Sequence, residues 1–132
     1  MPLHICWDNE EKTAIRCESE GNWTWDEYHT SLEQIAEMMR EVNHHVDLIN
    51  IRRLGATMPR GSSLPHFQRA LAILPDNFGL NIFVTNNAVA RVIVSVFTRV
   101  YASLSGGRLL MVGTLEEARA VVAKERAKRV TP

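Results

Sequence analysis

Few groups of residues in this chain have both the types and the spacing that a reaction demands. Arg52-Arg53 close an apolar run, Val46 to Ile51, that reads as a strand. Two guanidiniums at the carboxyl end of a strand could hold an anion, because open α/β sheets bind ligands along that edge. Gly55 and Gly61-Ser62 invite comparison with a phosphate-cradling loop. The gap, however, is five residues rather than four, and Arg60 precedes the second glycine where a lysine should follow it. Without that lysine the cradle fails. The first strand runs into a hairpin instead of a glycine-rich turn, which removes the dinucleotide fingerprint, and no Gly-x-Ser-x-Gly elbow occurs. Asp8, Glu10, Glu11, Glu18 and Glu20 crowd the hairpin and its exit, where solvation is a simpler reading than paired acid–base work. Cys6 and Cys17 form no Cys-x-x-Cys, and the adjacent His44-His45 cannot share a helix face, which argues against a metal site. The residues therefore point to no catalytic site, no cofactor and no metal.

The overall balance narrows the classes further. With 132 residues the chain makes one domain, 1–132. Its 45% hydrophobic and 23% charged content is that of a globular protein, not a disordered one. Fifteen basic against 15 acidic side chains give zero formal charge, which speaks against a nucleic-acid partner. That zero conceals a polarity. Residues 1–66 carry 6 basic and 11 acidic side chains, a net of −5, and residues 67–132 carry 9 and 4, a net of +5. The asymmetry could orient the molecule on a partner or favour self-association; the simpler reading is solvated helix faces. The basic run from Lys124 to Arg129 reads as a complement to a helix dipole. No stretch approaches the roughly 18 apolar residues of a transmembrane segment. Two cysteines and no basic leader before Trp7 suggest a cytoplasmic protein with reduced thiols, although Cys6 and Cys17 could face each other across a hairpin.

These residues are positioned by a readable series of elements. Leu3, Ile5 and Trp7 alternate with His4 and Cys6, and Ile15 and Cys17 alternate with Ala14 and Arg16, so a polar loop joins two antiparallel strands. Thr24 and Glu27 form a capping box, with Trp23 and Tyr28 spaced as a hydrophobic staple. The helix that follows runs from Trp25 to about Val42. Its stripe of Trp25, Tyr28, Leu32, Ile35, Ala36, Met39 and Val42 is expected in the core. Val46 to Ile51 is a buried strand with one carboxylate. Ser62 or Ser63 can cap a second helix with Pro65 in its first turn and Leu64, Phe67, Leu71 and Leu74 on one face. A strand from Leu80 to Thr85 leads to a third helix that starts at Asn86 or Asn87, reaches Leu104 and stops at Gly106-Gly107. A last strand from Arg108 to Val112 precedes a second capping box, Thr114 with Glu117, and a helix toward Lys128. The order ββαβαβαβα implies an α/β domain: a mostly parallel sheet with right-handed crossovers and one antiparallel hairpin strand.

In this order the chain resembles the STAS family, the sulphate-transporter domains and anti-sigma-factor antagonists. The resemblance is carried by the buried strand Val46–Ile51 with its loop, by the Ser62–Ser63 helix start, and by Gly113-Thr114-Leu115-Glu116-Glu117-Ala118 after the final strand. It covers nearly the whole chain and is closest to stand-alone SpoIIAA-like proteins, whose mixed sheet is also compared with lipid-carrying CRAL–TRIO domains. It implies a non-enzymatic bacterial regulatory module whose partner is a kinase or signalling protein. It also implies a phosphorylatable serine at the start of the second helix, a place only Ser62 or Ser63 fills. The family's usual Asp-Ser-Ser-Gly is absent here: Arg60-Gly61 precede the serines and Leu64-Pro65 follow. Beside this switch stands the plainer role of Ser63 as an N-cap.

The third helix carries too much apolar surface for one buried stripe. Its apolar residues spread over roughly 200° against the roughly 100° that a surface helix needs. Val94, Phe97 and Tyr101 could pack inside the domain, dock a second copy as a homodimer, or line a pocket for an apolar or lipid-like ligand. The expectation is a protein-interaction module, with a carrier or sensor of an apolar ligand as the alternative.

Overall fold

The computed structural model describes residues 3–52, 59, 61, 64–85 and 109–130. Strands β1 (Leu3–Trp7) and β2 (Ala14–Ser19) pair antiparallel, and β2, β3 (Val46–Arg52), β4 (Phe78–Val84) and β5 (Leu109–Val112) run parallel. The spatial order is the chain order, β1-β2-β3-β4-β5. Helices α1 (Trp25–Arg40), α2 (Leu64–Ile73) and α3 (Leu115–Val130) complete the described elements. The α/β class and the mixed sheet agree with the sequence reading. The helix expected over about 86–104, and with it Val94, Phe97 and Tyr101, lies outside the described residues. So do Arg53, Ser62 and Ser63.

The hairpin turns where Asn9 fastens its own loop. Its side chain accepts from the Thr13 amide at 2.9 Å and donates to the Thr13 hydroxyl at 2.6 Å, while Lys12 adopts the left-handed conformation at φ 58°. The register sets Ile5 against Cys17 and Cys6 against Arg16. Because neighbouring side chains alternate between faces, the two cysteines point to opposite sides of the sheet, which corrects the expectation that they could face each other. Both are free thiols, and burial, aided by Glu18 and Cys6, pushes the Cys17 thiol up to about 11.

Alternation gives the sheet two working faces. Ile15, Val46, Leu48 and Phe78 meet Leu32, Ile35 and Met39 of α1 and Ala70 of α2. On the opposite face Ala14, Ile49 and Ile82 meet Ala118 and Val122 of α3. Each fully buried aliphatic side chain here is worth about 1.5–3 kcal/mol of transfer free energy. Placing α1 and α2 on one face is what right-handed crossovers between neighbouring parallel strands require.

β4 holds one extra residue. Val46 pairs with Phe78, yet Leu48 pairs with Asn81, so a bulge falls between them and Leu80 turns to the α3 face. Strand β4 therefore begins at Phe78, ahead of the expected Leu80. The bulge withdraws the Leu80 amide from the ladder, and the wholly buried Asp47 accepts it at 2.8 Å.

The helix ends follow local chemistry. Thr24 and Glu27 form the full capping box, and Trp23 lies 5.8 Å from Tyr28 as a staple should. At α3 the box is half made: Thr114 accepts from the Glu117 amide, but the Glu117 carboxylate takes the amide of Gly113 rather than that of Thr114. α1 stops at Arg40, short of Val42. There the Asn77 side-chain amide spans the carbonyls of Met39, Val42 and His44, holding the helix end against the entry to β4. No helix among the described residues is long and apolar enough to cross a membrane.

Candidate interaction site between α1 and α2

The α3 face is closed by charge. Arg129 grips Asp47 through two nitrogens, at 2.8 and 3.3 Å. Gly79 leaves the room: a Cβ at that position would overlap Asp47 Oδ1 and the Arg129 guanidinium. Nearer the hairpin, Asp8 accepts from Arg119 Nε and Nη2 and from Arg16 Nη1, all at 3.0 Å, and its side chain is only 3% exposed. Arg126 lies 3.9 Å from Glu11. Three acids of the first half, Asp8, Glu11 and Asp47, thus meet arginines of the last helix. This corrects two expectations: Asp8 is not a solvated acid, and the C-terminal arginines do more than complement a dipole. A shallow cleft of about 190 Å³ between the hairpin and α3 is lined by Asp8, Asn9, Thr13, Arg119 and Arg126. Its guanidiniums are engaged by carboxylates, so it offers an anion little.

The α1–α2 face is different. α1 starts beyond the carboxyl end of β2 and α2 beyond that of β3, so both helix starts lie at the edge where open α/β sheets take ligands. Trp25, the first residue of α1, stacks on His66, the third residue of α2, with ring centroids 4.1 Å apart and planes within 8°. One turn along, His29 Nε2 lies 2.7 Å from His66 Nδ1 in a hydrogen bond. Tyr28 and Trp23 each meet Trp25 edge-on with centroids 5.4 Å apart, and the two are tilted against one another. His29 is buried, and its Nδ1 has no hydrogen-bond partner among the described residues. Burial, with Arg69 and His66 adding, holds its pKa below the ordinary imidazole value, against a smaller pull from Asp26 and Glu33.

Trp25 is thus only partly buried, as are Trp23 and Tyr28, where the sequence placed Trp25 in the core. The fully buried apolar residues of α1 begin at Leu32, with Tyr28 packed against the edge of that core and Trp25 ahead of it. Spacing could have found His29, which follows Trp25 by four residues and so shares its face. No local signal gives His66, since the pair closes across 37 residues.

Arg52 stands, as expected, at the carboxyl end of β3, exposed. By alternation it shares the α1–α2 side with Asn50, whose side chain donates to Asn81 at 2.5 Å and to the Ile82 carbonyl at 3.2 Å. The described residues contain no group of three His, Cys, Asp or Glu that could hold a metal. The fold and site together define an α/β domain with a partly exposed ring cluster at the ligand edge of its sheet. Comparison with protein-family models, curated proteins and solved structures gives no match.

Proposed function

We propose that this chain is a protein-interaction module of the STAS kind, whose docking surface is the ring cluster where α1 and α2 begin. The observation that carries the reading is the partial exposure of Trp23, Trp25 and Tyr28, packed on one another and on His66. Aromatic side chains offer large contact area at low entropic cost and dominate the energetics of protein interfaces. Ser62 and Ser63 immediately precede α2, whose third residue is His66. A phosphate on either serine would add negative charge three or four residues ahead of His66 in the sequence, which is how the resemblance would make docking phosphorylation-responsive.

The test is affinity capture from the native extract, followed by calorimetry with the purified partner. Trp23→Ala and the double change Ser62→Glu, Ser63→Glu should each weaken binding at least about tenfold, as expected when an aromatic anchor or a charge match is lost. Binding unaltered by both changes would remove this surface from the interaction. Native mass spectrometry showing a retained apolar molecule would replace the reading with a ligand carrier.

A further inference from the structure

We propose that the partner of the ring cluster presents a basic helix, whose lysines and arginines line up along the acidic side of α1 while its apolar end meets the rings. Naming the partner's chemistry in this way rests on the docking surface proposed above.

Residues 1–66 carry 11 acidic side chains, and most are answered inside the molecule. Asp8, Glu11, Glu18, Glu20 and Asp47 each have an arginine or histidine nitrogen at 3.9 Å or less, and Glu27 caps α1. Asp26, Glu33, Glu37 and Glu41 are exposed, and their side chains have no hydrogen bond or ion pair among the described residues. These four follow one another at i, i+7, i+11 and i+15. Helical geometry sets them within about 80° of one another, in a stripe roughly 22 Å long beside Trp25 and His29.

The helix would be more stable without this stripe. Glu33, Glu37 and Glu41 repeat at four-residue spacing, where like charges repel, and the last two sit at the negative end of the α1 dipole. Arg40 of α1 and Arg69 of α2 form no ion pair with any of the four among the described residues. Four carboxylates against these two guanidiniums leave a net of −2. A second, independent group points the same way. His29 is only 7% exposed, and its Nδ1 has no partner among the described residues. If His66 donated in the bond between the rings, His29 would carry its own proton on that buried Nδ1 as an unpaired donor. The cheaper arrangement leaves Nδ1 a bare acceptor, on a ring whose protonation Asp26 and Glu33 favour. Carboxylates, an imidazole lone pair and aromatic faces all attract cationic N–H donors.

A partner helix answers the stripe with lysines or arginines at the same four-residue spacing, about 6 Å apart. The α3 helix of a second copy is a poor source of them. Its Arg119, Arg126 and Arg129 are engaged by Asp8, Glu11 and Asp47, and its Lys128 by Glu125, which leaves Lys124.

Nuclear magnetic resonance titration of the full chain with a helical alanine peptide of about 20 residues, long enough to span the stripe, tests this. The peptide carries lysine at every fourth position and a pair of leucines at one end; its control has glutamine in place of lysine. The lysine peptide should bind at least about tenfold more tightly than the control, with the largest shifts along α1 and at the Trp25 indole. The double change Glu33→Gln, Glu37→Gln should lower that affinity at least about tenfold and leave the urea midpoint equal or higher, since it removes a repulsion. Glu10→Gln with Glu116→Gln removes the same charge from the hairpin and α3 and should leave the affinity unchanged. Lysine binding no tighter than glutamine binding, an equal loss in both double variants, or a lowered midpoint in Glu33→Gln, Glu37→Gln would overturn the proposal. So would a dimer that the same variant disperses, which would make a second copy the occupant. Trp23→Ala weakening both peptides alike, with no preference for lysine, would leave the docking surface standing and remove only its basic partner.

Discussion

The two faces of the sheet hold their helices by opposite means. Under α3, carboxylates and guanidiniums are matched: Asp47 with Arg129, and Asp8 with Arg119 and Arg16. Between α1 and α2, rings stack on rings, and His29 is hydrogen-bonded to His66. On the first face the carboxylates of Asp8 and Asp47 are committed and the amide released by the β4 bulge is taken up, although Arg16 Nε is buried there without a hydrogen-bond partner among the described residues. On the second, a buried nitrogen is left without a partner among the described residues and three aromatic rings keep a share of solvent. A face whose carboxylates are paired with guanidiniums has little left to offer a partner, whereas a partly exposed ring cluster keeps contact area free.

The comparison can be broken by substitution. Arg129→Leu leaves a buried carboxylate without its cation and should cost about 3 kcal/mol in urea unfolding, within the range for broken buried pairs. Adding Asp47→Asn should recover most of that loss, since an amide oxygen can still take the Leu80 amide. Failure to recover would mean that the packing of Arg129, not its charge, was lost. Trp25→Ala should cost less, about 2 kcal/mol, because the ring is only partly buried and loses its stack on His66. A loss larger than that of Arg129→Leu would reverse the ranking of the two faces. Thr24→Ala should lower stability by about 1 kcal/mol through the cap of α1, and an unchanged urea midpoint would detach the capping box from the cluster it precedes. The smallest effect is expected outside both faces. Lys12→Gly relieves a left-handed backbone at the hairpin and should raise stability by about 0.5 kcal/mol, set against the greater freedom of glycine in the unfolded chain.

Much of the frame was legible in the residues. The hairpin followed from alternation, the start of α1 from Thr24, Glu27 and the Trp23–Tyr28 staple, and the buried β3 from its apolar run. These are signals written within a few residues of the structure they specify. The site was less legible. The sequence drew attention to Arg52, which the structure leaves exposed at the edge of the sheet, and passed over His29 and His66. It counted Trp25 into the core because a helical stripe shows which side faces inward, but not how far along the helix the core reaches. Cys6 and Cys17 looked able to meet because pairing register was needed to tell which face each occupies.

By itself the sequence determined what is local: the caps, the hairpin loop, the periods of two and of 3.6, and hence the α/β order of elements. Tertiary structure alone decided which distant groups meet. Asp47 and Arg129 are 82 residues apart, Asp8 and Arg119 are 111, and His29 and His66 are 37. The physical reason is that local hydrogen bonds and side-chain periodicity act over one or two turns of chain. Charge pairing and ring stacking act only between groups that the sheet, its bulge and its crossovers have already brought together.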